Sequence, residues 1–225
     1  MITLFSILLT LLIYRLTIFL AVKYPTPLTS PVFLSTILII AILLGLHISY
    51  DDYTPAKNIM TFLLGPATVA LAVPIYKNWH LLSKYFGAAL IGLIAGTVIT
   101  IGSALFMAKA FLFSRTTLLA LSIKSVTVPV ATEIGKILKV NLPLIVAFVI
   151  ITGIIGAMFG PKLLNLFKID HPFARGLSLG TIAHGIGTAE AVKEGEIQGA
   201  VAGAAMGIAA ILTSCILPYL IPVLL

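Results

Sequence analysis

The chain has 225 residues, 60% of them hydrophobic and 9% charged, at a mean hydropathy of +1.18. A soluble domain carries about 25% charged residues, so this composition excludes one and predicts an all-α polytopic membrane protein forming a single transmembrane domain, 1–225. The formal charge of +7, from 14 Lys and Arg against 7 Asp and Glu, comes without a basic run or an aromatic stacking platform. It reads as loop charge facing anionic lipid, not as nucleic-acid binding.

A spanning helix needs about 20 mostly apolar residues, and eight apolar segments approach that length: 3–22, 31–50, 57–77, 84–108, 116–138, 142–161, 172–192 and 198–223. The first has no basic leader and no small-residue cleavage site, so it is expected to stay as a helix. Arg15 lies deep within it, beside Tyr14 and Thr17. Its charge suits either gating near an anion path or snorkelling to the interface.

The third segment carries LGPATVALAVP over 64–74. Gly65-Pro66 predicts a broken helix, because proline removes a donor and clashes with the preceding turn. At membrane depth such a break survives only against protein or a water-filled cavity, and breaks of this kind mark transporter binding sites. Gly65, Pro66, Ala67 and Thr68 are therefore expected to line a path.

Lys124 stands central in TTLLALSIKSVTVPVAT, 116–132. A cation at the bilayer centre costs at least about 2.5–3.5 kcal/mol, so it must face the interior. Ser122, Ser125 and Thr127 surround it with hydroxyls, and Pro129 frees backbone groups nearby. That set suits a carboxylate ligand; the alternative is a structural cation paired with Glu133 or with carbonyls.

In the seventh segment His184 sits in GTIAHGIGTAE, 180–190. Gly185 and Gly187 allow a mid-membrane turn, and His184 with Thr188 could hold substrate. Histidine also titrates near neutral pH, so proton coupling through His184 or Glu190 is a second role. Glu194 and Glu196 read as solvated. Glycines four apart, at 92/96, 156/160 and 199/203/207, predict close helix packing in lipid. The single cysteine, Cys215, reads as apolar filler. Neither metal-ligand spacing nor a hydrolase or nucleotide motif is present, so no metal, cofactor or enzymatic activity is expected.

An internal repeat organises the segments. PVFLSTILIIA (31–41) aligns without a gap on PLIVAFVIITG (143–153), LGPATVALAVPIY (64–76) on LGTIAHGIGTAEA (179–191), and GAALIG (87–92) on GAVAGA (199–204). The halves are 1–109 and 110–225. If the segments 57–77 and 172–192 each enter and return on one side, the two repeats are inverted.

Three stretches, LGPATVALAVPIY (64–76), KSVTVPVA (124–131) and RGLSLGTIAHGIGTA (175–189), together resemble the LrgB/CidB family, as do SYDDY (49–53) and TGIIGA (152–157). Ser122 stands where that family's pattern commonly has proline. The resemblance implies a multi-pass protein of the bacterial cytoplasmic membrane beside a small holin-like subunit of the LrgA/CidA type. It further implies a link to murein hydrolase control and autolysis, and to transport of small monocarboxylates such as pyruvate, glycolate or glycerate. The combined expectation is an organic-anion transporter that assembles as a homo-oligomer. Gly65, Pro66, Ala67, Thr68, Lys124, Ser125, Thr127, His184, Gly185, Gly187 and Thr188 would bind substrate, with Arg15 and Glu190 in gating or proton coupling. The alternative is a non-transporting, antiholin-like regulator of the holin-like subunit.

Overall fold

The computed structural model describes residues 2–24, 26–70 and 72–224, without the side chains of 27, 64, 65, 67, 68, 70, 72, 74, 75, 81 and 220–224. The described residues are helical and include no strand. Four helices are long and apolar enough to cross a membrane: Ile2–Lys23, Phe86–Ala110, Leu142–Leu166 and Glu196–Tyr219. The chain forms two compact units, Met1–Leu71 and Ala72–Leu225.

The first unit holds α1 (Ile2–Lys23), α2 (Pro31–Gly45) and α3 (Tyr50–Ala70). Proline opens α2, where its missing N–H costs nothing. Ser49 and Asp52 close a capping box on α3: Asp52 N–H donates to Ser49 Oγ at 3.2 Å, and Ser49 Oγ–H donates to Asp52 Oδ2 at 2.6 Å. Buried Thr17 joins α1 to α2 through the Pro31 carbonyl at 3.4 Å, and Thr10 meets Tyr53 of α3 at 3.3 Å. Pro66 lies inside α3, so the backbone stays helical where a break at Gly65-Pro66 was expected. A proline inside a membrane helix is tolerated when neighbouring groups or local adjustment take up the freed carbonyl.

The second unit holds α4 (Ala72–Lys77), α5 (Trp79–Lys84), α6 (Phe86–Ala110), α7 (Arg115–Ser122), α8 (Val128–Ile137), α9 (Leu142–Leu166), α10 (Pro172–Glu194) and α11 (Glu196–Leu224). Two departures from straight helix shape it. The segment read as one helix over 116–138 is two short helices separated by residues 123–127. Pro129 then falls in the first turn of α8, not in a helix interior.

The second departure is in α10, whose backbone leaves helical geometry at His184 (φ 43°, ψ −132°). The chain reverses there. Arg175 and Glu194 are 19 residues apart, about 28 Å along a straight helix, yet their side chains are bonded at 2.6 Å. Leu179 likewise shares one apolar cluster with Ala191, Ala202 and Leu164. The α10 segment is thus a helical hairpin of two legs, 172–183 and 185–194, with its tip at His184.

Small residues let this hairpin sit deep. A methyl group on Gly156 would collide with Ala183, and one on Gly153 would come within 2.7 Å of the His184 ring. Added at Gly160 it would meet Leu179 at 2.7 Å, and at Gly180 it would meet the Ala202 backbone of α11. On the α6 side Gly92 faces Leu177 and Gly96 faces Thr181. The first leg is therefore enclosed by α6, α9 and α11 at near-backbone distance, as small-residue ridges permit in lipid.

Gly187 sets the closure of the hairpin. A Cβ there would strike the Leu179 carbonyl and lie 2.6 Å from the Ala183 methyl on the other leg. Gly187→Ala is expected to destabilise the detergent-solubilised protein by about 1–3 kcal/mol, the usual range for overpacking. Gly185→Ala, whose Cβ would meet only the Met206 sulfur at 3.8 Å, should not. Parallel thermal melts of the two variants check this; equal melting would mean the legs are not in contact at Gly187.

Candidate functional site

The site is built on the interruption between α7 and α8. Ser114 caps α7, accepting from Thr117 N–H at 3.3 Å. Beyond Ser122 the backbone bonds are long: Ile123 N–H to Ala120 O and Lys124 N–H to Leu121 O are both 3.3 Å, and Val126 N–H to Ile123 O is 3.4 Å. Ile123 and Val126 are fully buried in the main apolar cluster and pin the loosened segment. Lys124 and Ser125 between them are half-buried and turn elsewhere.

Lys124 lines a groove of about 410 Å³ between α9 and the first leg of α10. Its walls are mostly apolar, from Phe159, Leu163 and Ile182, with Thr152 and Ser178 as the other polar side chains. That volume lies within the usual 300–1,000 Å³ of small-molecule sites. Lys124 Nζ donates to Ser125 Oγ at 3.2 Å. Among the described residues no carboxylate lies within ion-pair distance of it. Glu133, the acidic partner considered from sequence, instead pairs with Lys136 at 2.6 Å on the exposed surface. An ammonium has three donors, so the groove holds a cation able to receive an anionic group.

His184 is buried at the hairpin tip, its Nε2 3.0 Å from the Val149 carbonyl of α9. A carbonyl only accepts, so Nε2 carries the proton and the ring donates. The hydroxyl of Thr188 donates to the His184 carbonyl at 2.9 Å and so braces the tip from within. His184 and Thr188 thus lie beside the groove, not among its lining residues, while Ala183 lines it. Gly185 and Gly187 shape the turn.

The remaining expected residues sit apart. Thr127 is the N-terminal cap residue of α8 by position, makes no side-chain cap bond, and does not line the groove. Glu190 pairs with Lys193 at 2.6 Å. Arg15 and Pro66 belong to the first unit and both are exposed. The side chains of Gly65, Ala67 and Thr68 lie outside the described residues. Sequence reasoning missed Thr152 and Ser178 although both stand in stretches that carry the family resemblance; only the packing of α9 against α10 brings them to one groove with Lys124.

Glu194, expected in solvent, is a correction. Its carboxylate accepts from Arg175 Nε at 2.7 Å and from Nη2 at 2.6 Å, and its side chain is only 17% exposed. Arg175 also donates to Asn165 Oδ1 at 2.7 Å and to the Ile169 carbonyl at 2.9 Å. The fork ties both ends of the hairpin to the end of α9.

Comparison with known proteins places the chain in a family. Residues 10–223 match the LrgB-like family. The chain is 38% identical to the uncharacterized protein YxaC of Bacillus subtilis (strain 168) over 85% of its own length and 83% of that protein's. It is 33% identical to the uncharacterized protein YwbG of the same strain, over 96% of each chain. It is 31% identical to the holin-like protein CidB of Staphylococcus epidermidis, over 96% of this chain and 94% of that one. No solved structure matches it. By a match that runs through α1 to α11, including the Lys124 segment and the His184 hairpin, the chain belongs to the LrgB-like family.

Proposed function

We propose that the protein carries small organic anions, monocarboxylates of the pyruvate, glycolate or glycerate kind, across the bacterial cytoplasmic membrane. The observation that carries this reading is the Lys124 ammonium, unpaired by any carboxylate among the described residues, in a mostly apolar groove. A cation left without an acid in an apolar setting is costly, and a carboxylate with a short apolar body fits both the charge and the walls. The loosened segment at 123–127 contributes Lys124 to the groove, and the first leg of the hairpin contributes Ser178, Ile182 and Ala183. Broken helices around a midplane site are the usual construction of secondary transporters.

The proposed architecture is two inverted repeats, in which α1, α2, α3–α4 and α6 correspond to α7–α8, α9, α10 and α11. The aligned helices α2 and α9 each carry proline in their first turn, which supports the pairing. The holin-like naming of a relative fits a membrane protein in a holin-like system, and the partner proposed for it is a small holin-like membrane subunit. An effect on murein hydrolases and autolysis would then follow from altered anion flux.

The test is uptake of labelled pyruvate, glycolate and glycerate into proteoliposomes, with and without the holin-like subunit. Uptake of at least one above protein-free vesicles is expected. No uptake of any of them in either arrangement would overturn transport in favour of the non-transporting regulator.

A further inference from the structure

A second cavity also borders the loosened segment. It is small, about 10 Å³, and ringed by six hydroxyl residues: Thr97 and Thr100 of α6, Ser122 and Ser125 of the interrupted helix, Thr181 of the hairpin and Thr213 of α11. A volume of that order admits one water-sized guest. Lys124 and Ser125 are adjacent in sequence yet face different cavities, Lys124 the groove and Ser125 this one.

Two of the six hydroxyls have already committed their protons elsewhere. Ser122 donates its proton to the Leu119 carbonyl at 2.7 Å and Thr181 donates to the Leu177 carbonyl at 2.6 Å. Toward the cavity both therefore offer lone pairs only. Thr97 is 4% exposed, and its hydroxyl has no hydrogen-bond partner among the described residues. A buried hydroxyl left unpaired is costly and calls for a ligand. The cavity also lies at the C-terminal end of α7, the negative end of that helix's dipole. Lone pairs and a negative dipole end disfavour an anion. The lining includes no carboxylate, whereas Mg²⁺ and Ca²⁺ sites draw on carboxylate oxygens. Neutral oxygens beside an interrupted helix are what sodium-coupled carriers use for their ion.

We infer that this cavity is a binding site for one small monovalent cation of sodium's size. Its position gives it a consequence. The Lys124 ammonium, held to Ser125, repels a cation next door; a carboxylate seated on Lys124 offsets that repulsion. Cation and anion then raise each other's affinity by the same factor, as linkage requires. That coupling, unlike the cation site itself, rests on the proposed carriage of organic anions.

The test uses the full-length protein in detergent, melted in sodium, potassium or N-methylglucamine chloride at constant ionic strength. Sodium at ten times its dissociation constant should raise the melting temperature by about 3–6 °C over the other two salts. Thr97→Val should abolish the sodium increment while melting normally in N-methylglucamine, and Thr97→Ser should keep it. Thr213→Val provides a second lesion, read by binding of labelled sodium to the immobilised protein. Equal melting in all three salts would mean a bound water only and overturn the site, as would a full sodium response in both valine variants. Uptake assays separate this from the transport reading. A sodium increment without uptake of any anion keeps the site and overturns transport; uptake without a sodium increment does the reverse.

Discussion

Replacing Lys124 with methionine should raise the apparent KM for monocarboxylate uptake steeply while leaving the protein at least as stable as before. The two halves of that expectation have one cause. Lys124 is held in an apolar groove with Ser125 as its hydrogen-bond partner and no carboxylate within ion-pair distance among the described residues. Methionine of similar length fills the same space, removes the burial cost of the ammonium, and orphans no acid; replacing a buried charge this way is often neutral or stabilising. The ligand fares differently. Losing the partner of a desolvated carboxylate costs about 2–5 kcal/mol, so the apparent KM should rise by about thirtyfold or more. Lys124→Arg should retain part of the uptake, since it keeps the charge but offers a planar fork on a longer stem. Initial rates in proteoliposomes across a substrate series, with melts of the same preparations, check both halves. Saturable uptake with an unchanged KM in the methionine variant would remove Lys124 from the site. A large drop in melting temperature would show that the amine is structural.

How far the sequence reveals this arrangement depends on the range of the interaction. The break in 172–192 is legible because His184-Gly185-Ile186-Gly187 is a local signal, and the backbone departs from helix at His184. The interruption at 123–127 was also written locally: Thr127 followed by proline two residues on is a helix start, and α8 begins at Val128. Reading Pro129 as an interior proline hid that start. Gly65-Pro66 misleads for the opposite reason, since a membrane helix can absorb proline without ending, and α3 runs through it. Thr188 looked like a substrate ligand because its hydroxyl stands near His184 in sequence. That proximity is why the hydroxyl is satisfied by the His184 carbonyl. The divergence of Lys124 and Ser125 into separate cavities, and the approach of Thr97, Thr181 and Thr213, depend on contacts between helices far apart in the chain. No spacing rule within one segment carries them.

Arg175→Ala is expected to destabilise the protein by about 3–5 kcal/mol, the range for removing one partner of a buried ion pair. The Arg175 and Glu194 side chains are 11% and 17% exposed. Truncating Arg175 leaves the Glu194 carboxylate with neither of its guanidinium donors and takes a donor each from Asn165 and the Ile169 carbonyl. Arg175→Lys should lose an intermediate amount, because a point charge cannot serve a bidentate carboxylate and two further acceptors at once. The double variant Arg175→Met with Glu194→Met should cost less than either single change, since it leaves no charge unpaired. A double-mutant cycle by thermal melting measures this, with a coupling of about 2 kcal/mol or more expected for groups in direct contact. Hydrogen exchange adds the spatial test. The ion pair joins the two open ends of the hairpin, whereas the tip is held separately by the His184 bond to Val149. Amides near the ends of 172–194 should therefore lose protection before those around 180–188. Single variants that melt like the parent would mean that apolar packing of Leu164, Leu179, Ala191 and Ala202 alone holds the legs together. The fork would then fix only the direction in which the end of α9 meets them.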